Sequence, residues 1–262
     1  MKRVSISLLA VLLLLTGCTP MLSLPTTEPV SFPTEERETE GSTVPVTETM
    51  ELTLPPHSPL YIEGLSTDAA VLYFEEVCLD AEIVNSGDPA RLQKWDAPIL
   101  YQVLGDPTAE DLDTIRRMEA WLNSVDGFPG IREAQSHEYA GMDIFFCSSR
   151  EMADRLGDWT WGCDGGVTFW YDMDVIHTAT ICVRSDIDQE LRSSVILEEI
   201  YNSLGPVQDT DLREDSIIWS GFSQPQWLTA EDMLLIRLLY DPSLVPGMDA
   251  GQCADAIRAI YY

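Results

Sequence analysis

The sequence is poor in the side chains that most metal sites and nucleic-acid interfaces require. It has 3 histidines, and His57, His137 and His177 are too far apart to suggest one metal site. No C-x-x-C pair of the kind that forms zinc knuckles is present. Only 15 residues are Lys or Arg against 44 Asp or Glu, so the formal net charge is −29. Because such a chain repels phosphate backbones, we expect no nucleic-acid partner.

Motifs of two large enzyme classes are also missing. No glycine-rich phosphate loop precedes a predicted helix, which argues against a P-loop nucleotide hydrolase. Residues 221–225 (GFSQP) lack the second glycine of a G-x-S-x-G nucleophile elbow. The sequence therefore does not indicate an α/β-hydrolase serine.

The N-terminus has the features of an export signal. Met1-Lys2-Arg3 is basic and residues 8–15 are apolar, but this run is too short to span a membrane. Residues 15–18 (LTGC) resemble a bacterial lipobox. The resemblance implies that a signal peptide, residues 1–17, is removed and that lipid such as palmitate is attached to Cys18. We therefore expect a lipid anchor in a bacterial cell membrane, with the protein on the extracytoplasmic face.

Residues 18–59 are rich in Thr, Pro and Glu and show no hydrophobic periodicity. Such a segment cannot bury enough apolar surface to offset the entropy lost on ordering, so we predict a disordered stalk. The stalk would link the membrane anchor to a folded domain spanning residues 60–262.

Helical and strand patterns alternate in this domain. Capping residues and apolar periodicity predict helices over residues 67–79, 108–126, 148–156 and 189–204, and two more that begin near Thr229 and Asp249. Alternating patterns predict strands over residues 95–104, 131–134, 142–147, 167–171 and 175–184. The fold class is therefore α+β, with a small mixed sheet packed on helices.

The helix predicted at residues 189–204 carries the most informative residues. Asp188 can cap its start and Gly205 suits its end. Glu198 and Asn202 are four residues apart, so they lie on the same face of the helix.

The segment from Glu198 to Gln208 resembles the metzincin signature H-E-x-x-H-x-x-G-x-x-H. The glutamate and the glycine match at Glu199 and Gly205, whereas the histidine positions hold Glu198, Asn202 and Gln208. The resemblance implies that the helix predicted at residues 189–204 is an active-site helix and that Glu199 is the candidate catalytic residue.

Two later segments extend this resemblance. Residues 215–218 (DSII) look like the Met-turn of metzincins, with Ile218 in place of methionine, and residues 228–240 look like the helix that follows it. These segments, together with residues 241–248, are similar to the bacterial family called domain of unknown function 2927. The resemblance implies a degenerate zincin-type metallopeptidase fold.

The substituted positions argue against zinc catalysis. Zinc favours thiolate and imidazole ligands, and Asn202 and Gln208 are neutral amides, so we expect no zinc cofactor. Without a metal, Glu199 has no polarised water to deprotonate. We therefore predict a non-catalytic binding or scaffold protein, with a peptide or protein ligand on the exposed edge strand of the sheet, either residues 167–171 or the neighbouring strand.

Other functions remain open at this point. The chain could be an active metal-dependent peptidase with unconventional ligands around Glu198 and Glu199, or these acids could form a solvated helix face. Aromatic residues around Trp159–Trp170 could bind carbohydrate instead of filling the core. A hard-cation site could use the acids that follow the helix, namely Asp209, Asp211, Glu214 and Asp215.

The cysteines leave the disulfide pattern open. Five follow Cys18, so at least one must be unpaired: Cys78, Cys147, Cys163, Cys182 and Cys253. Cys163 and Cys182 flank a predicted hairpin and form the first candidate pair, with buried thiols as the equal alternative. The ligand and the oligomeric state are not predicted.

Overall fold

The computed structural model describes residues 2–6, 58–79 and 90–261. Cys18, most of the predicted signal peptide and all but the last two residues of the predicted stalk lie outside these ranges. Within them, a single mixed sheet is packed against helices, which confirms the predicted mixed α/β architecture.

The described residues contain six α-helices and one 3₁₀ turn at Asp158–Thr160. Reciprocal capping boxes begin four of the helices, because the side chains of Thr108, Ser148, Thr229 and Asp249 each accept a backbone N–H three residues later. The helices are α1 (Thr67–Leu79), α2 (Ala109–Leu122), α3 (Ser149–Leu156), α4 (Gln189–Asn202), α5 (Ala230–Leu239) and α6 (Ala250–Ile260).

The sheet has the strand order β1-β5-β6-β4-β2-β3. The pairs β3–β2, β2–β4 and β4–β6 are parallel. The pairs β6–β5 and β5–β1 are antiparallel. The strands are β1 (Lys2–Ile6), β2 (Ile99–Gly105), β3 (Ile131–Glu133), β4 (Met142–Cys147), β5 (Gly165–Asp172) and β6 (Val175–Arg184).

Helix α4 lies at the centre of the packing. It contacts β5, β6 and α2, while α1 packs on α6 and α3 packs on β5 and β6. Every residue of α4 from Arg192 to Asn202 is buried, polar residues included. A helix that is buried all round belongs to the core of the fold and not to its surface.

Three predicted boundaries were wrong. In each case the element is shorter than predicted, and hydrogen bonds at its end account for the difference. α2 ends at Leu122, because the Asn123 amide pairs with both backbone groups of Ile131 and directs the chain into β3. α4 ends at Asn202, because the N–H groups of Leu204 and Gly205 bond only three residues back, to the Tyr201 and Asn202 carbonyls. β2 begins at Ile99, since Trp95 is turned inward and donates its indole N–H to the Ser203 carbonyl at 2.9 Å.

The predicted edge strand is not outermost in this sheet. β5 contains residues 167–171, and its outer side is paired with β1 from Lys2↔Tyr171 to Ile6↔Val167. Among the described residues, no helix combines the length and apolarity that crossing a membrane would need.

Candidate functional site

The start of α4 is fixed by a buried ion pair. Asp188 caps the helix by accepting the Leu191 N–H, and Arg192 Nε donates to Asp111 Oδ1 of α2 at 2.9 Å. Asp111 is fully buried and also accepts from Gln189 Nε2 at 2.6 Å. Because both charges are paired and hydrogen-bonded, this contact can hold α4 against α2 without an uncompensated charge.

The end of α4 is fixed by contacts to its last carbonyls. Tyr240 OH donates to the Leu204 carbonyl at 2.8 Å, and Trp95 holds the Ser203 carbonyl. Gly205 has φ +130, and a Cβ there would lie 2.4 Å from the Gln93 carbonyl oxygen. The glycine predicted to end the helix is thus required by a close backbone approach as well as by its φ angle.

Glu198 and Glu199 are buried acids on this helix, 8% and 2% exposed. Burial raises the pKa of both carboxyl groups well above the usual value, and the negative charge of Asp209 raises both further. For Glu198, the charges of Glu199 and Asp164 add to this effect on the pKa. Across the described residues, no basic side chain forms an ion pair with either carboxyl group.

The segment that leads into β5 meets this helix at the two acids. Burial and the charges of Glu199, Asp164 and Glu198 raise the pKa of the Cys163 thiol to about 11. A Cβ on Gly165 would lie 2.3 Å from Val195 Cγ1 and 2.8 Å from Glu199 Oε1. This contact was not predicted from the sequence, although the Gly165-Gly166 pair at a strand start is typical of a close backbone approach.

Asn202 and Gln208, at the other two substituted positions, carry unsatisfied acceptors. Asn202 is 1% exposed and its Oδ1 has no hydrogen-bond partner in the described part of the chain. Gln208 Oε1 is also buried there without a partner, while the Gln208 backbone N–H donates to the Val77 carbonyl. Unpaired buried acceptors are rare in native proteins and often mark a place where a ligand or water completes the bonding.

The structure therefore brings together only part of the predicted site. Glu198, Glu199 and Asp209 interact electrostatically, and Asn202 lies one helical turn after Glu198 on the same face. Within the described ranges, no hydrogen bond reaches Asn202 Oδ1 or Gln208 Oε1.

The segment compared with a Met-turn is tightly held. Ser216, Ile217 and Ile218 are all buried. Asp232 at the start of α5 accepts hydrogen bonds from Ser216 Oγ at 2.6 Å and from the Ile217 N–H at 3.2 Å. Tyr201 of α4 donates to the Asp232 carbonyl at 2.9 Å, so this turn is connected to the acid-bearing helix.

The residues at the zinc-ligand positions do not fit zinc. Glu198 offers an oxygen ligand, but Asn202 and Gln208 offer neutral amides where zinc favours imidazole or thiolate. Within the ranges described, no three His, Cys, Asp or Glu side chains form a group that could hold a metal ion. This includes the acids proposed for a hard cation, of which Asp211, Glu214 and Asp215 are exposed.

The aromatic residues near β5 have different environments. Trp159 packs against a small cluster around Cys147 and Cys182, whereas Trp161 is 58% exposed. The first candidate disulfide is wrong: the five cysteines in the described ranges are buried thiols that form no disulfide, and Cys182 neighbours Cys147 instead of Cys163.

Comparison with known proteins gives a family without an assigned activity. Residues 68–259 match the family model described as "Protein of unknown function (DUF2927)". The match covers α1 to α6 almost completely, including the acid-bearing helix. No curated protein matches the chain.

Proposed function

The chain belongs to the DUF2927 family, and we propose that it is a lipid-anchored binding protein on the extracytoplasmic face of a bacterial membrane. Its domain would be a metzincin-like peptidase fold that has lost its zinc ligands and kept its peptide-binding groove. The ligand would be a peptide or a protein segment that pairs with β5 as an added strand.

The pairing between β1 and β5 carries this proposal. Lys2–Ile6 lies antiparallel to β5 and is matched to it over five residues, from Tyr171 to Val167. An extended peptide adding to an exposed sheet edge makes the same main-chain contacts. If residues 1–17 are removed as the predicted signal peptide, β5 becomes an outer strand with unpaired N–H and C=O groups.

The chemistry of α4 supports binding over hydrolysis. Without a bound metal, Glu199 has no polarised water to deprotonate. Glu199 lies beside Gly165, the first residue of β5. In its protonated form, which burial and the charge of Asp209 favour by raising its pKa, Glu199 would donate a hydrogen bond to a carbonyl of a peptide bound along β5 and stabilise the complex without cleaving it.

The experiment uses a synthetic peptide with the β1 sequence, Lys-Arg-Val-Ser-Ile, and isotope-labelled chain that begins at Cys18. We expect the peptide to shift the NMR amide signals of residues 167–171. An N-methylated form of the peptide, which cannot donate along one edge, is expected to bind more weakly. The full chain provides the matched control, because its own β1 would compete for the same edge.

Two results would contradict this proposal. The first is the absence of amide shifts in β5 at any peptide concentration up to saturation of solubility. The second is an equal shift of the NMR amide signals in the full chain and in the chain that begins at Cys18. That result would show that peptide binding does not depend on an unpaired edge of β5.

A second candidate function rests on the unpaired acceptors. Glu198, Asn202 Oδ1 and Gln208 Oε1 supply only oxygen atoms, which hard cations such as Ca²⁺ prefer. The chain would then be a metal-dependent peptidase with unconventional ligands. Peptide turnover that a chelator stops and that Glu199→Gln abolishes would favour this candidate, whereas chelator-independent peptide binding would favour the first.

A further inference from the structure

A small sulfur-rich cluster lies apart from the main hydrophobic core. It consists of Cys147, Met152, Leu156 and Cys182, with Trp159 packed against it. Met152 and Cys182 are fully buried and Cys147 is 6% exposed. Three of its four members carry sulfur, and none carries an oxygen or nitrogen side-chain atom.

The parallel pairing of β4 and β6 places the two cysteines diagonally. Cys182 is opposite Phe145, and Cys147 is two residues further along β4. Residues two apart in a strand share a face, so both thiols lie on the same side of the sheet. With strands about 4.8 Å apart and a rise of about 3.3 Å per residue, their Cα atoms are about 8 Å apart.

This spacing suits a shared metal better than a disulfide. A disulfide requires Cα atoms within about 7 Å, so an S–S bond would require backbone movement. Metal–thiolate bonds of about 2.3 Å allow two sulfur atoms to bind one ion while they remain about 4 Å apart. The diagonal position of the two thiols is compatible with that separation.

The helix that follows β4 supplies the third sulfur atom. α3 begins directly after Cys147 at the N-cap Ser148, and its first turns bring Met152 into the cluster. Thiolate ligands bind both Zn²⁺ and Cu(I), but the protein ligands of zinc are thiolate, imidazole and carboxylate, whereas a thioether ligand such as Met152 suits the softer Cu(I).

We propose that Cys147, Cys182 and Met152 form an all-sulfur binding site for one Cu(I) ion. The copper would enter beside Cys147, the only one of the three that reaches solvent. Cu(I) would replace the two thiol protons, which leave to solvent, so that two S–H bonds break and two copper–thiolate bonds form, while the Met152 thioether adds a third Cu–S bond through a lone pair and loses no proton. Neither sulfur nor copper changes its oxidation state.

A positive charge lies next to the cluster, because Phe145 packs against it and Arg155 lies over the Phe145 ring. The Arg155 guanidinium lies 3.8 Å from the centre of the Phe145 ring, where it can offset the negative charge of a bis-thiolate complex.

The experiment is a titration of the full chain with Cu(I), under reducing and anaerobic conditions, in competition with bicinchoninate. We expect about one Cu(I) per chain to resist the competitor, with ultraviolet absorption typical of thiolate-to-copper charge transfer. Cys147→Ser and Cys182→Ser should each abolish this retention. Met152→Leu, which preserves the packing volume, should weaken it at least about tenfold.

Matched variants separate this site from other sulfur atoms. Cys163→Ser, Cys253→Ser and Met118→Leu change buried residues outside the cluster, and Cys18→Ser removes the thiol of the predicted lipid site. All four should retain the copper, and far-UV circular dichroism should show that every variant is folded.

Several results would overturn the proposal. These are no retention of Cu(I) by the unaltered chain, retention that survives Cys147→Ser with Cys182→Ser, or loss of retention in one of the four matched variants. Unchanged affinity in Met152→Leu would remove the thioether from the site. Stronger binding of Zn²⁺ than of Cu(I) would overturn the assignment of the metal.

Discussion

Two buried acidic regions of the domain differ in how their oxygen atoms are satisfied. Asp232 is fully buried and accepts hydrogen bonds from Ser216 Oγ, the Ile217 N–H, the Thr229 N–H and Tyr73 OH. Around Glu198 and Glu199, the charges that act on the two carboxyl groups are of the same sign, and no basic side chain in the described ranges forms an ion pair with either.

The difference separates structural acids from candidate functional ones. A buried carboxylate with several donors stabilises the fold and connects its elements. Buried carboxyl groups without donors destabilise the fold, so their retention needs a different explanation, such as a ligand that supplies the missing partners. Although the acids of both regions are buried, we therefore expect their replacement to change the free energy of unfolding in opposite directions.

The largest effect is expected at the satisfied acid. Asp232→Ala would leave the donors of Ser216, Ile217 and Thr229 unpaired in the core and should lower the free energy of unfolding by about 3–5 kcal/mol. Urea denaturation measures this change. Asp215→Ala, at an exposed acid of the same turn, is the matched control and should change the free energy by less than about 0.5 kcal/mol.

The contact between β5 and α4 should be the next most sensitive. Gly165→Ala places a methyl group against Val195 Cγ1 and Glu199 Oε1, and should destabilise the fold by about 1–3 kcal/mol. Adding Val195→Ala should recover part of this loss in thermal denaturation. Gly251→Ala in α6, where the nearest atom is 3.5 Å away, should be neutral or slightly stabilising. No recovery in the double variant would contradict the contact.

Replacement of Glu198 or Glu199, which have no basic partner in the described ranges, should change the free energy of unfolding in the opposite direction. Glu198→Gln and Glu199→Gln should each raise the free energy of unfolding at pH 7 by about 1–2 kcal/mol, because a neutral amide replaces a group that is costly to ionise in the core. Asp111→Asn provides the contrast, since Asp111 is paired with Arg192 and its replacement should destabilise the fold.

The same acids should also set part of the dependence of stability on pH. Their folded-state pKa values are raised, so between about pH 4.5 and those values the folded chain binds more protons than the unfolded chain. Their contribution is fully present below the unfolded pKa of about 4.5 and is lost as the pH rises through the folded pKa. The advantage of the Gln variants should disappear at pH 4, and an equal advantage at pH 4 and pH 7 would contradict the raised pKa.

The smallest effect is expected at Asn202. Its Oδ1 has no partner among the described residues, so Asn202→Leu should change the free energy of unfolding by less than about 1 kcal/mol. Asn123 is the matched amide, because it bonds to both backbone groups of Ile131. Asn123→Leu should cost about 1–3 kcal/mol, and equal losses at the two positions would show that Asn202 is satisfied after all.

Local patterns in the sequence predicted most of the elements. The capping residues at Ser148, Asp188 and Thr229, and the alternating strands before α4, are local signals and are confirmed as elements of the fold. Glu198 and Asn202 could be assigned to one helix face for the same reason, since the period of a helix fixes their relative direction.

The unpredicted features depend on contacts between distant parts of the chain. The position of Cys182 beside Cys147 follows from the register of two parallel strands, which a hairpin pattern around Cys163 does not encode. The hydrogen bonds that Asp232 accepts from Tyr73 and Ser216 were not predicted, because they join residues far apart in sequence. The approach of Gly165 to Glu199 is of the same kind.

Elemental analysis of the purified full chain after dialysis against trace metals tests whether α4 has lost its zinc site. We expect no zinc above background, because Asn202 and Gln208 stand where zinc would need nitrogen or sulfur ligands. About one tightly held zinc per chain, lost in Glu198→Gln and retained in Cys147→Ser, would contradict it, since that result would place a working metal centre on α4.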